Sequence, residues 1–131
     1  MRVISGKYKG RKILIETNSN YRPTLTRIRE DIFNLLSHNS DLNINLNEII
    51  FCDLFAGTGS IGIEALSRGV KKVIFNDIEK KHTNKIEEFL NKINDVNYEI
   101  INLLKVYSFL LIQLLIYLIL HHLPSYLKVF L

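Results

Sequence analysis

Phe51-Cys52-Asp53-Leu54-Phe55-Ala56-Gly57-Thr58-Gly59-Ser60-Ile61-Gly62-Ile63-Glu64-Ala65-Leu66 decides the reading of this chain. An apolar run closes on an acid, a glycine-rich turn follows, and a helical pattern begins. That order is how a strand–loop–helix unit wraps a nucleotide-like cofactor. Gly57 and Gly59 are free to take positive φ and bring the backbone close to a ligand, while Gly62 allows tight packing of helix on strand. The helix start adds free N–H groups and the positive end of a dipole. The glycine spacing alone fits a dinucleotide equally well. Asp53, four residues before the first glycine, argues against a pyrophosphate at this loop. S-adenosylmethionine carries positive sulfonium and amino groups and no phosphate, so it suits an acid there.

Asp77 ends the next strand eighteen residues after Gly59, where a carboxylate can accept hydrogen bonds from both ribose hydroxyls. The candidate cofactor cradle is therefore Asp53, Phe55, Ala56, Gly57, Thr58 and Gly59, with Asp77 across from them. Asn76 is a weaker candidate, because strand alternation points it the other way.

Outward from this unit the pattern predicts a strand over 48–54, a helix over 61–68 capped by Gly69, a strand over 71–77, a helix over 79–93 and a strand over 98–101. The β-α-β-α-β order indicates a parallel sheet with right-handed crossovers. Ahead of it, residues 2–16 read as two short strands about a Gly6–Gly10 turn, with Lys7-Tyr8-Lys9 as a basic–aromatic–basic tip. Arg22-Pro23-Thr24 then leads into a helix with Thr24 as N-cap and Arg27 and Arg29 on its flanks.

Charge is unevenly spread. The chain of 131 residues carries +4, yet residues 1–40 hold eight Lys/Arg against three acids, residues 41–100 seven against ten, and residues 101–131 only Lys105 and Lys128. A basic arm ahead of a near-neutral fold suggests a polyanionic partner, and Arg2, Lys7, Lys9, Arg11, Lys12, Arg22, Arg27 and Arg29 are its candidate phosphate contacts. A solvated charged surface is the plainer alternative. The single cysteine, Cys52, excludes a disulfide framework and a cysteine-based zinc site, and its place in a core strand makes it a small apolar residue. No metal site is expected: His121 and His122 adjoin with no further ligand nearby. The N-terminus has no apolar core of a signal peptide, so a cytoplasmic location is the expectation.

Three ordered motifs carry a family resemblance. Asp53 through Gly69 resembles motif I of the RsmD family of guanine-N2 methyltransferases of small-subunit ribosomal RNA. Met1-Arg2-Val3-Ile4-Ser5-Gly6-Lys7-Tyr8-Lys9-Gly10-Arg11 is similar to the family's opening. So is Arg22-Pro23-Thr24 followed by Arg27, Arg29-Glu30 and Phe33-Asn34-Leu35-Leu36. The resemblance covers about residues 1–100. It implies an α/β, Rossmann-like methyltransferase fold with an N-terminal hairpin and helix extension. It also implies S-adenosylmethionine as donor, held by Asp53, Gly57, Gly59 and Asp77, and small-subunit ribosomal RNA or an assembling 30S subunit as partner. The expected organisation is a basic RNA-binding extension over 1–40, the first half of the cofactor domain over 41–102, and an atypical apolar tail over 103–131.

The chain departs from the family in its last third. Such enzymes carry an Asp/Asn-Pro-Pro-aromatic loop whose polar groups accept hydrogen bonds from the target amine and whose ring stacks on the flipped base. The only prolines here are Pro23 and Pro124, so no catalytic residue is assigned and activity is expected to be impaired or absent. The alternative is a non-catalytic module that binds nucleic acid or cofactor. The acid expected after the third strand, near the adenine, is also missing from 101–131. Eleven leucines in the last 31 residues, with Val106–Leu120 free of charge, read as an out-of-frame translation or a surplus core helix. A membrane helix, which needs about 20 apolar residues, is the less favoured reading.

Overall fold

The computed structural model describes residues 1–14, 26–38 and 45–103, with Leu110 and Gln113 singly. The elements are α1 (Thr26–His38), a 3-10 turn (Leu46–Glu48), β1 (Ile50–Asp53), α2 (Ser60–Ser67), β2 (Lys72–Asn76), α3 (Lys80–Leu90) and β3 (Tyr98–Ile101). The strands form one parallel sheet in the order β1-β2-β3, with Phe51 beside Val73 and Phe75 beside Ile100. This is the Rossmann-like half-sheet the β-α-β-α-β pattern predicts: β3 has the expected bounds, α2 is shifted by one residue, and β1, β2 and α3 are shorter at both ends. Residue 48, expected in the first strand, closes the 3-10 turn instead, where the Asn45 side chain accepts the Asn47 N–H.

Parallel strands covered by helices bury nearly every side chain, which is why Phe51, Val73 and Phe75 are each almost wholly removed from solvent. The core runs through Ile63, Ala65 and Leu66 of α2 and Ile86 and Leu90 of α3. From α1, Phe33 stacks on Phe51 with ring centroids 6.1 Å apart. Gly62 sits where the sequence placed a close contact: a Cβ there would lie 2.3 Å from the Phe75 ring. Gly69 follows α2 at φ 91°, the left-handed end expected of it.

The N-terminal arm keeps the antiparallel pairing in short form. Arg2 and Lys12 form a bridge, flanked by bonds from the Val3 N–H to the Arg11 carbonyl at 3.0 Å and from the Ile13 N–H to the Met1 carbonyl at 2.8 Å. The turn between the paired segments packs onto α2. Fully buried Glu64 is the anchor: its Oε2 accepts the Ile4 N–H at 2.8 Å and its Oε1 the Ser5 N–H at 3.0 Å and Arg68 Nε at 2.8 Å. Ser67 accepts the Tyr8 N–H on its hydroxyl at 3.0 Å and the Lys7 N–H on its carbonyl at 2.7 Å. Gly6, at φ 81°, lies so close that an added Cβ would sit 1.8 Å from the Ser67 carbonyl oxygen. Val3, Tyr8 and Ile13 join the common core.

Two expectations are corrected by this docking. Tyr8 is not an exposed ring at a basic tip; it is buried, and its hydroxyl donates to the Asn94 carbonyl at 2.8 Å. Arg29 is not on a solvent flank of α1 and is not a phosphate contact, because it is fully buried. Its Nη2 donates to the Arg2 carbonyl at 3.2 Å, and burial pulls its pKa below the ordinary value while Glu64 and Glu30 oppose the shift. The Thr24 cap, the Arg22-Pro23-Thr24 segment, His121, His122 and almost all of the apolar tail lie outside the described residues. Among the described residues no helix is long and apolar enough to cross a membrane, and no cluster of His, Cys, Asp or Glu is placed to hold a metal.

Candidate functional site

The carboxyl ends of β1 and β2 bring Asp53 and Asp77 to the two sides of the glycine loop. Ligands of open α/β sheets bind at such strand ends. Both acids brace the loop itself. Asp53 Oδ2 accepts the Gly62 N–H at 3.0 Å, and Asp77 Oδ2 accepts the Gly57 N–H at 2.7 Å. Asp77 Oδ1 accepts the Glu79 N–H at 2.9 Å and lies 3.2 Å from His82 Nδ1. The loop is closed from below by two further bonds, Ala56 N–H to the Asn76 carbonyl at 2.9 Å and Asn76 Nδ2 to the Leu54 carbonyl at 2.8 Å. Asn76 is thus occupied as a clasp, its Nδ2 on the Leu54 carbonyl and its Oδ1 accepting the Leu103 N–H at 2.8 Å.

Gly57 and Gly59 take φ 53° and 70°, a region that side chains disfavour. Gly59 also abuts Ile86, 2.7 Å from where a Cβ would stand. The loop backbone is thus bare at both glycines. Phe55 is 61% exposed and Ile78, one residue past Asp77, is 42% exposed. Two large apolar side chains beside two buried carboxylates make a surface suited to a ligand with an apolar ring and a cationic end. Burial raises the Asp53 pKa to about 6, with the Gly62 N–H pulling it down and Asp77 adding to the rise. A positive group placed there would stabilise its ionised form. The neighbouring Cys52 thiol is also pushed up by burial and by Asp53, in keeping with an inert core residue.

The other loop residues divide by environment. Ala56 is buried, and Thr58 is half-buried with a hydroxyl that has no partner among the described residues. Asn102, directly after β3, donates to the Asp77 carbonyl at 2.7 Å and to Thr83 Oγ1 at 3.0 Å. It ties the end of β3 to Asp77 and α3 and supplies no carboxylate there. Neither Ile78 nor Asn102 was singled out from sequence; their signal was only adjacency to a strand end.

The predicted RNA contacts are scattered over the arm. Arg2, Lys7, Lys9, Arg11, Lys12 and Arg27 are exposed. Arg2 Nη1 donates to the Gly10 carbonyl at 2.7 Å, Lys7 pairs with Asp95 at 3.4 Å, and Arg11 Nη1 donates to the Lys92 carbonyl at 3.2 Å. Arg22 lies outside the described residues. Arg11 and Lys12, together with Thr58 of the glycine loop, line a cavity of about 230 Å³ that α3 completes.

Residues 1–111 match the family described as conserved hypothetical protein 95, so the match ends inside the apolar tail. The chain is 38% identical over 104 residues to ribosomal RNA small subunit methyltransferase D of Haemophilus influenzae, covering 78% of this chain and 51% of that one. It is 28% identical over 102 residues to the Escherichia coli protein of the same name, covering 78% and 48%. A solved Escherichia coli structure described as "Putative methyltransferase yhhF" superposes with a TM-score of 0.66 at 28% identity, over 79% of this chain and 52% of that one. The chain spans about half the length of the curated relatives it matches.

Proposed function

The chain belongs to the conserved hypothetical protein 95 family, the RsmD family that its motifs resemble, and on that premise we propose that it binds S-adenosylmethionine at the glycine loop and serves methylation of the exocyclic N2 of a guanine in small-subunit ribosomal RNA. The observation that carries the reading is the pair of strand-end carboxylates, Asp53 and Asp77, bracing a loop whose glycines stand at positive φ. A dinucleotide would bring its pyrophosphate against the Asp53 carboxylate, whereas Asp77 suits the ribose of either ligand. A sulfonium with an ammonium meets complementary charge.

Within this reading the residues have distinct tasks. Asp53 faces the cationic end of the donor, and Asp77 keeps an acceptor position for the ribose. Phe55 and Ile78 cover the adenine, and the backbone of Gly57, Thr58 and Gly59 passes beneath. The donor supplies an electrophilic methyl group. The exposed arm cations Arg2, Lys7, Lys9, Arg11, Lys12 and Arg27 meet RNA phosphates, in a protein working in the cytoplasm on ribosomal RNA or an assembling 30S particle.

The transfer step is not placed in these residues. The 131 positions contain no Asp/Asn-Pro-Pro-aromatic tetrapeptide, which favours a second reading in which the chain grips donor and RNA without turnover. Calorimetric titration with S-adenosylmethionine and S-adenosylhomocysteine, followed by transfer of labelled methyl to unmodified small subunits, tests both. Donor binding without label in guanine is the expected result for this chain. Label appearing as N2-methylguanine would restore full activity to it, and failure to bind either compound would remove the cofactor assignment.

A further inference from the structure

Four groups converge on Asp77. Asn102 Nδ2 donates to its carbonyl at 2.7 Å, the Gly57 N–H to its Oδ2 at 2.7 Å and the Glu79 N–H to its Oδ1 at 2.9 Å. The fourth is His82, whose Nδ1 lies 3.2 Å from the same Oδ1. Glu79 is the extended N-cap of α3, and helical side chains lean toward the N-terminus, which brings the third residue of the helix back to the strand end. Nδ1 is shielded from solvent, while the His82 side chain keeps 22% exposure beside an Asp77 side chain at 11%. A ring nitrogen turning its lone pair to a carboxylate oxygen would be repelled, so Nδ1 is the protonated nitrogen of the ring. A carboxylate offers about four acceptor positions, shared equally by its oxygens. The Glu79 N–H and the His82 ring together fill those of Oδ1. Oδ2 carries the Gly57 N–H alone among the described residues and so keeps a single position for a ligand.

We propose that His82 is a positioning residue for the donor: by occupying Oδ1 of Asp77 it restricts the carboxylate to one ribose hydroxyl, and Oδ2 thereby selects between the 2′ and 3′ positions. The proposal rests on the S-adenosylmethionine reading and sharpens it, because the carboxylate expected to accept both hydroxyls then accepts only one. A ring that merely tied α3 to β2 would add to stability and leave the choice of hydroxyl untouched.

Calorimetric titration with S-adenosylhomocysteine and its 2′-deoxy and 3′-deoxy counterparts reads the selection directly. In the wild type, loss of one hydroxyl should weaken binding by about tenfold or more, as for a hydrogen bond to a charged group, and loss of the other by less than about threefold. His82→Ala uncovers Oδ1, and both deoxy compounds should then bind about tenfold more weakly than the parent. His82→Gln, which keeps an N–H within reach of Oδ1, should restore the one-sided pattern. Circular dichroism melts establish that each variant is folded, and His82→Ser replaces the alanine variant if that one is not. The readout is the ratio between the two deoxy compounds, which a change in stability alone does not move. Equal losses in the wild type, or a one-sided pattern that survives in His82→Ala, overturn the role of His82 and leave the donor assignment standing. A wild-type chain that binds none of the three compounds overturns that assignment and the proposal with it.

Discussion

Asp53→Asn should strengthen the fold and weaken donor binding, and the two effects share one cause. The carboxyl is buried, and its pKa stands at about 6 against an ordinary value of 3.8. A carboxyl raised in the folded state contributes stability that is fully present below its unfolded pKa and is lost as pH climbs through the folded one. At roughly 1.4 kcal/mol per unit, this displacement amounts to about 3 kcal/mol lost once both states are ionised. Asparagine retains a carbonyl oxygen for the Gly62 N–H, now held by Asp53 at 3.0 Å, and never ionises. Urea unfolding from about pH 4 to about pH 7.5 should therefore show the variant and wild type nearly equal at the acid end. At the neutral end the variant should be more stable by about 2–3 kcal/mol. Donor affinity should run the other way. If the bound cation restores the ordinary carboxylate range, wild-type affinity rises about 100-fold across the same pH interval, and the variant's stays flat. A variant less stable than wild type by more than about 1 kcal/mol at neutral pH would refute the burial argument. A flat wild-type binding profile would take Asp53 out of the donor site.

Three further outcomes follow from the packing. Glu64→Gln should cost about 3–5 kcal/mol in thermal or chemical unfolding, because it strands buried Arg29 and loosens Ile4 and Ser5; adding Arg29→Met should recover part of the loss. Gly62→Ala places a methyl 2.3 Å from Phe75 and should destabilise by about 1–3 kcal/mol, with Phe75→Leu as the second-site relief; an unaffected single variant would mean that α2 can slide on β2. Phe55→Ala, at a 61% exposed position, should leave stability within about 0.5 kcal/mol while lowering donor affinity measured by calorimetry. An unchanged affinity would exclude Phe55 from the adenine surface.

What the sequence made legible was local. The run Ile50–Asp53, the glycine turn and the amphipathic stretch of α3 are each decided within a few residues, and each stands where periodicity and turn chemistry put it. Gly62 was legible because only one residue type permits that approach to Phe75. What was hidden was set by partners far along the chain. Tyr8 looks like a solvent-facing ring until Asn94 and Ser67 are brought to it, and Arg29 looks like any helix-flank cation until Glu64 is placed near it. Charge counting put Arg29 on the surface; the burial of one acid and one base together reverses that.

The grip of Glu64 and Ser67 on residues 4–8 joins positions about sixty apart in sequence. Closing so long a loop costs entropy that few contacts repay until α2 exists as a helix. Residues 4–8 should thus be among the last to find their place, with β1, α2 and β2 consolidating first as a local unit and the arm condensing on it afterwards. Conservative substitutions at Val3 and Ile13 should then accelerate unfolding with little effect on the folding rate, while those at Ile63 and Val73 slow folding. Arm substitutions that slowed folding instead would place residues 3–13 in the nucleus.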